Sequence, residues 1–456
     1  MTLPKRSRWL PPLAGAALLL LASQARAQSL SPPLREWLSC EQGRLSRNVD
    51  TSRLMALTNH QDPRFAPERG ATFGVKSYWV DADKMHSFTG LGMPRDLKQL
   101  FVRTQGSRQQ IRLLVHPESE GLYRQVLAGA QRSEDFMATA TASSRTLLVW
   151  PQNRPDRAFF GKVSLDKEIG GVRRTISQGE VARSVGVNNV LAMAKARREL
   201  PASFKYVPEV FSTIPRGMQE GGMVIRAIPR EVTRGQVRVV PLFSLYAEPA
   251  GGGRPLLADM IEKSGMTAEA FVKDKIVKPF AKQWIELTVR SGIIPEPHAQ
   301  NVLLELGRDG LPTGKFVHRD FGGFNIDFDH RRQSGRALPR SLPRIGTVEN
   351  DYKIGRYGSP KQLMGRNLDS FFYGGFIYNL DQQMPSWGSK GYLPRQQSIR
   401  QGMFKQMLVR ELEQQYSAMT GRRVNLRGDL RNAGRMAEAR QPKRPGFFRR
   451  LFGRRN

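Results

Sequence analysis

The sequence predicts an α+β fold, mixed sheets with flanking helices, on three observations. Apolar runs of strand length recur from Ile111 to Phe243. Stretches of helical periodicity or composition lie at Val181–Leu200, Thr267–Gly292, Phe371–Leu380 and Gln397–Met419. No internal repeat links them, and 43 Gly and 29 Pro break the chain into many separate elements.

At 456 residues and 39% hydrophobic content the chain can bury a large core. Its formal charge is +32, from 72 Lys and Arg against 40 Asp and Glu. That balance points to anionic partners, whether nucleotide, polycarboxylate, anionic lipid or nucleic acid, and does not choose among them. The single cysteine, Cys40, excludes an intramolecular disulfide, a zinc cluster and a cysteine-ligated iron–sulfur centre.

At the amino end Lys5, Arg6 and Arg8 precede an apolar run from Trp9 to Ala22, and Ala25-Arg26-Ala27 precedes Gln28. This is the three-part pattern of a secretory signal over residues 1–27, and the run is short for a membrane span. The expected location is therefore exported, in the periplasm. An unused signal would leave the protein membrane-associated or cytoplasmic.

Taken in order, Leu30–Leu38 predicts one or two helical turns behind Pro32-Pro33. Residues 51–112 read as mixed and punctuated by Gly and Pro. Ile111–Val115 predicts a strand, Leu122–Ala130 a helix, and Leu147–Trp150 a strand. Ala158–Leu165 predicts a strand with Lys162 and Ser164 on one face. Val181–Leu200 predicts a helix, and Met223–Ile228 and Val237–Phe243 a pair of strands. Gly251-Gly252-Gly253 reads as an internal hinge. Thr267 is a good N-cap for a helix whose stripe of Val272, Ile276, Phe280, Trp284 and Leu287 belongs in a core.

Two polar packets follow that helix. Glu296, His298, Gln300 and Asn301 precede the apolar run Val302-Leu303-Leu304, and His318-Arg319-Asp320 ends the run Phe316-Val317. Either packet alone could be the polar end of a strand. Two within thirty residues suit a site, because such groups are costly in a fold unless paired or bound. Carboxylate and amide oxygens suit magnesium and the phosphates it bridges. Upstream, Ser143, Ser144, Arg145 and Thr146 place hydroxyls and a guanidinium ahead of a strand. Lys162 and Arg174 could hold phosphate or carboxylate.

In this order the segments resemble the IucA/IucC family, the NRPS-independent siderophore synthetases. The matching positions are His116-Pro117, Ser143/Ser144-Arg145-Thr146, Lys162-Val163, Gly170 to Arg174, His298-Ala299-Gln300-Asn301 and Arg319-Asp320. The resemblance spans roughly residues 111–330. It departs at Gly170-Gly171, where the family has Thr-Ser, and in a shorter chain. It implies a cradle of fingers, palm and thumb with ATP and magnesium at its floor. Such enzymes adenylate a carboxylate, usually of citrate or a related acid, and an amine or hydroxyl then displaces AMP. By position, Lys162, Arg174 and His298 would be catalytic. Ser144, Arg145, Thr146 and Gln300, with Lys162 and His298, would hold nucleotide, and Glu296, Asn301 and Asp320 would hold magnesium. The implied division is a signal at 1–27, a shortened amino-terminal region at 28–110, a fingers-like region at 111–253, a palm-like region at 254–420 and a basic tail at 421–456.

Two other readings stand beside it. An export signal would carry the protein away from ATP, which suits a non-catalytic siderophore- or polycarboxylate-binding homologue. Alternatively, His318-Arg319-Asp320 with Asn325 satisfies a kinase-like catalytic-loop spacing, with Asp320 as base, Asn325 as a metal ligand and Asp327 or Asp329 as the second metal carboxylate. The tail holds twelve Lys and Arg against two acids in residues 421–456, with Phe447, Phe448 and Phe452 interleaved. It suits an anionic membrane surface or plain solvation. Nucleic acid is not the expected partner, and a homodimer is left open.

Overall fold

A computed structural model describes residues 30–44, 62–169, 172–249, 251–339, 365, 367–394 and 399–423. The export segment, Gly170-Gly171 and the aromatic end of the tail lie outside the described residues. Among the described residues no helix is long and apolar enough to cross a membrane.

The first seven strands are β1 (Thr72–Asp81), β2 (Met85–Thr89), β3 (Val102–Gln105), β4 (Arg108–Val115), β5 (Gln131–Ala140), β6 (Thr146–Pro151) and β7 (Phe159–Val163). The ribbon β8 (Leu165–Ile169) and β9 (Val172–Arg174) follows, then β10 (Phe204–Tyr206), β11 (Glu209–Pro215), β12 (Met223–Arg226) and β13 (Arg238–Pro241). The last four are β14 (Ile293–Ile294), β15 (Val302–Leu306), β16 (Pro312–His318) and β17 (Asn325–Ile326). Nine of them form one sheet in the order β2-β11-β12-β7-β6-β5-β1-β4-β3. A second sheet runs β10-β16-β15-β13, and β14 pairs with β17.

Period-two alternation assigns each face. Leu147, Val149 and Phe159 point to the outer core with Phe101 and Leu113. Leu148, Trp150 and Phe160 point inward, against Leu303 and Val317 of the second sheet and Leu34, Trp37 and Leu38 of the helix Pro32–Gly43. The far face of the second sheet, through Val302, Leu304 and Phe316, packs on the helical part of the chain. The site lies where the inward face of the large sheet runs out beside the end of β16.

The Thr267 cap forms, its side chain accepting the Ala270 N–H, and the stripe Val272, Ile276, Phe280, Trp284 and Leu287 is buried. The helix is interrupted by π-turns at Lys273–Val277 and Glu286–Arg290. Helix Gln178–Ala196 matches its expected position, fixed by a capping box of Ser177 and Glu180.

Four local expectations are corrected. Leu122–Ala130 is not a helix. A 3-10 segment, Pro117–Tyr123, passes into turns, since the segment's polar and apolar residues serve a surface loop pinned by the Tyr123 hydroxyl on Gly221 O at 2.9 Å. Met223–Ile228 and Val237–Phe243 are strands but not partners: β12 pairs β7 and β11, whereas β13 pairs β15 in the other sheet. Strand β7 stops at Val163, so Ser164 does not share a strand face with Lys162. Its hydroxyl bonds Gly222 O at 3.0 Å and accepts the Ile176 N–H at 2.8 Å. The amino-terminal helix runs the 12 residues Pro32–Gly43, beyond the one or two turns expected, because Trp37, Leu38 and Cys40 are buried along it.

Candidate active site

Lys162 sits in the middle of the large sheet, opposite Thr146 on β6 and Val224 on β12. Paired positions share a face, so Lys162, Thr146 and, one pleat along, Arg226 all look toward the second sheet. Lys162 Nζ meets Asp320 Oδ1 at 2.7 Å and lies 3.8 Å from Glu180 Oε1. Arg226 Nη2 approaches the same Asp320 oxygen at 3.3 Å, and its Nε donates to Glu209 Oε1 at 2.8 Å. The positive charges of Lys162, Arg226 and Arg145 hold the Asp320 carboxyl well below the usual carboxylate range, against the opposing effect of burial.

Asp320 lies two residues past the end of β16, after Arg319, and adopts a left-handed conformation, φ +69°. Ser144 does the same at φ +59° in the turn between β5 and β6. Such backbone is uncommon outside glycine and costs on the order of 1–3 kcal/mol, so the surrounding contacts must enforce it. In that turn Ser144 is buried, Ser143 Oγ accepts the Thr146 N–H at 3.0 Å, and Arg145 Nη1 donates to the carbonyls of Arg174 and Thr175 at 3.2 and 2.7 Å. Arg145 thereby binds the end of β9 into the site. Arg174 is half-buried. Burial and the neighbouring Arg145 charge lower its pKa, while Asp320 and Glu180 raise it.

The loop between β14 and β15 carries the other packet. Its backbone is tightly turned, with His298 N donating to Glu296 O at 2.9 Å and Asn301 N to His298 O at 2.8 Å. His298 Nδ1 accepts the Gln300 N–H at 3.2 Å, and the ring meets Phe371 edge-on at 6.2 Å. Asn301 O accepts the Arg319 N–H at 2.9 Å, which locks this loop to the Arg319-Asp320 segment. Gln300 Nε2 is buried with no hydrogen-bond partner among the described residues. The Glu296 carboxyl is pushed up to about 7, first by burial and then by the Asp320 charge, with Lys162 opposing. Gly323 leaves room for it: a Cβ there would stand 2.2 Å from Glu296 Oε2.

Lys162 and Asp320 are thus in direct contact, and Arg145, Arg174 and Glu296 are within electrostatic reach of Asp320. Asn301 and Gln300 join through their backbone carbonyls to Arg319. His116, part of the resemblance, stands apart as a core residue. It is buried beside Phe65 and Phe73, its Nδ1 accepts the Glu118 N–H at 3.2 Å, and burial lowers its pKa to about 3.

Glu41, Arg226, Glu209 and Glu180 were not singled out in sequence. Glu180 had a signal, the spacing Ser177-x-x-Glu180 of a capping box. The others are isolated charges in unremarkable segments.

Three residues of the kinase-like spacing have structural partners. His318 is buried with Nε2 against Gln283 Oε1 at 2.8 Å, and the Asp327 carboxylate accepts the His330 N–H at 2.9 Å as a helix cap. Asn325 pairs with Ile294 in a short ladder.

No family model matches the sequence, and no curated protein matches it. Solved structures do. ATP-bound aerobactin synthetase IucA from Klebsiella pneumoniae aligns with a TM-score of 0.57 at 16% identity, over 93% of this chain and 78% of that one. The petrobactin biosynthesis protein AsbB from Bacillus anthracis aligns with a TM-score of 0.62 at 16% identity, over 94% and 74%. Aerobactin synthetase IucC from Klebsiella pneumoniae gives 0.57 at 16%, over 92% and 78%. The chain has an IucA/IucC-type fold, and the expected α+β architecture is the one these structures share.

Proposed function

We propose that the protein is a siderophore-type synthetase, a ligase that joins a polycarboxylate such as citrate to an amine or hydroxyl at the expense of ATP. The observation that carries this reading is the group of Lys162, Arg145, Arg174 and Arg226 around Asp320, with Glu296 beside it, on a fold shared with an ATP-bound synthetase. Carboxylate oxygen attacks the α-phosphorus, the bond to pyrophosphate breaks, and the amine or hydroxyl then displaces AMP from the acyl carbon. Lys162 and Arg174 hold developing phosphate charge, and His298 takes or gives the proton of the nucleophile. Gln300, with its buried and unpartnered Nε2, is suited to orient nucleotide together with the Ser144–Thr146 turn.

Magnesium fits the donor set. Glu296 and Asp320 are acids close enough to disturb one another, and Asn301 is tied by its backbone to the Arg319-Asp320 segment. Among the described residues no three His, Cys, Asp or Glu side chains could hold a metal together. Glu296 and Asp320 are the residues that would hold the ion. When bound it supplies charge neutralisation between phosphates.

The test is pyrophosphate release with ATP, citrate and a panel of amines. Release that depends on both substrates supports the ligase. A protein that binds citrate but neither binds nor cleaves ATP would instead be the exported binding homologue, the reading that the residue 1–27 pattern favours. Export is checked by mass spectrometry of the native protein, with Gln28 expected at its amino end. Binding of the basic tail to anionic membranes is checked with liposomes and a variant ending at Gly421, and self-association by light scattering.

A further inference from the structure

The helix Pro32–Gly43 delivers one carboxylate into the site from outside every recognised motif. Glu41 is fully buried. Its Oε1 accepts Arg319 Nη1 at 2.5 Å and Trp37 Nε1 at 3.0 Å. Its Oε2 accepts Arg319 Nη2 at 3.1 Å and the Ala142 N–H at 3.3 Å. The neighbouring Gln42 Nε2 donates to Thr139 Oγ1 and Ala140 O at 2.8 and 2.7 Å, so the helix end is doubly fastened to the hairpin that carries Ser144, Arg145 and Thr146. Arg319 passes the restraint on: its Nε donates to Gln300 O at 3.0 Å and its backbone N–H to Asn301 O at 2.9 Å.

We propose that Glu41 is the positioning residue that sets the nucleotide-side turn, the Gln300-Asn301 loop and Asp320 in register with one another. The inference deepens the synthetase reading and rests on it for its catalytic meaning. A buried ion pair is a poor source of stability compared with apolar packing. A two-pronged carboxylate–guanidinium contact fixes both distance and angle, which a site needs and a core does not. Arg319 is the first residue past β16 and Asp320 follows it in a left-handed conformation, so the anchoring of Arg319 sets where the Asp320 backbone starts. Four segments distant in sequence share this one carboxylate, directly or through Arg319.

The test uses the full chain with Glu41→Asp, Arg319→Gln and the double variant Glu41→Gln/Arg319→Gln. The double variant removes both charges, so that no lone buried ion remains. In pyrophosphate release, it is expected to keep KM for ATP within about threefold and to lose kcat by on the order of 10²-fold, as small misplacements of reacting groups do. Glu41→Asp, which keeps the charge, should recover part of the rate. A folded double variant with wild-type kcat overturns the proposal.

Amide hydrogen exchange reads the same geometry without turnover. The double variant should lose protection at residues 298–302 and 319–323 while helix Gln178–Ala196 keeps its own. Unchanged protection in those two segments, or loss across the whole chain, also overturns the positioning role. If the wild type releases no pyrophosphate, the synthetase reading fails, and hydrogen exchange still decides what Glu41 does.

Discussion

Lys162 and Asp320 are 158 residues apart in sequence and 2.7 Å apart in space. The lysine is a central position of one sheet, and the aspartate lies just past a strand of the other, one residue beyond Arg319. Their contact is therefore a direct product of how the two sheets pack through Phe160, Leu148, Leu303 and Val317. Arg226 flanks the pair, so the aspartate faces two cations. Arg145 and Arg174 add positive charge within electrostatic reach of the same acid.

Loss of Arg174 should affect chemistry more than folding. Arg174→Ala is expected to lower turnover by on the order of 10²-fold, as loss of one charge contact in a transition state typically does. The thermal midpoint should stay close to that of the wild type, because the side chain is only half-buried. Steady-state pyrophosphate release and a thermal melt check the two halves of the expectation.

The buried histidines make the fold sensitive to acid. Burial lowers His318 and His116 from 6.5 to about 3. Once unfolded, each takes up a proton below about pH 6.5, whereas the folded forms stay neutral until far lower pH. Each therefore contributes stability present above pH 6.5 and lost progressively as pH falls toward 3. His318→Gln should flatten the dependence by up to one proton, or about 1.4 kcal/mol per pH unit. Urea unfolding at pH 7, 6 and 5 measures it; an unchanged slope would contradict the assignment.

Much of this was legible in sequence where a local pattern carries the information. The Thr267 cap follows from its residue type, the Val272 to Leu287 stripe from periodicity, and the strands around Leu113, Val149 and Phe160 from short apolar runs. The two polar packets were legible because buried polar groups require partners, and here they partner one another, through Arg319 on the carbonyls of Gln300 and Asn301. Strand pairing was not legible: β12 and β13 are close in sequence, yet the chain between them crosses from one sheet to the other. Strand β1 was missed because its burial changes along its length, and it is held mainly by β4 and β5 on either side. Glu41 and Arg226 were missed for the same reason. Each is an ordinary charged residue until the fold buries it against a partner far along the chain.

Gly323 has a steric reason that can be tested. A Cβ at this position would stand 2.2 Å from Glu296 Oε2 and 2.8 Å from Glu296 Cβ, so more than the tip of the side chain must move. Gly323→Ala should displace the Glu296 carboxylate and raise the magnesium concentration needed for half-maximal activity by roughly tenfold, equivalent to about 1.4 kcal/mol. Gly322→Ala is the control, since its nearest neighbours, Asp320 Oδ1 and Glu180 Oε1, lie at 3.7 and 3.8 Å. A magnesium titration of both variants decides whether the Glu296 position matters to the metal.

The Lys162–Asp320 pair also allows the metal proposal to be tested without any turnover. Lys162 is buried and Asp320 half-buried, and removing one partner of such a pair costs up to roughly 3–5 kcal/mol because the other charge is left behind. In Lys162→Met the aspartate loses its 2.7 Å partner and keeps Arg226 at 3.3 Å, so the melting temperature should fall. A divalent cation bound at Asp320 and Glu296 would replace the lost positive charge. Magnesium is therefore expected to raise the melting temperature of Lys162→Met more than that of the wild type, where Lys162 competes for the same oxygen. Lys162→Met/Asp320→Asn, lacking both charges, should recover stability and lose the magnesium response. Equal magnesium shifts in all three proteins would place the metal elsewhere and remove Asp320 from its coordination.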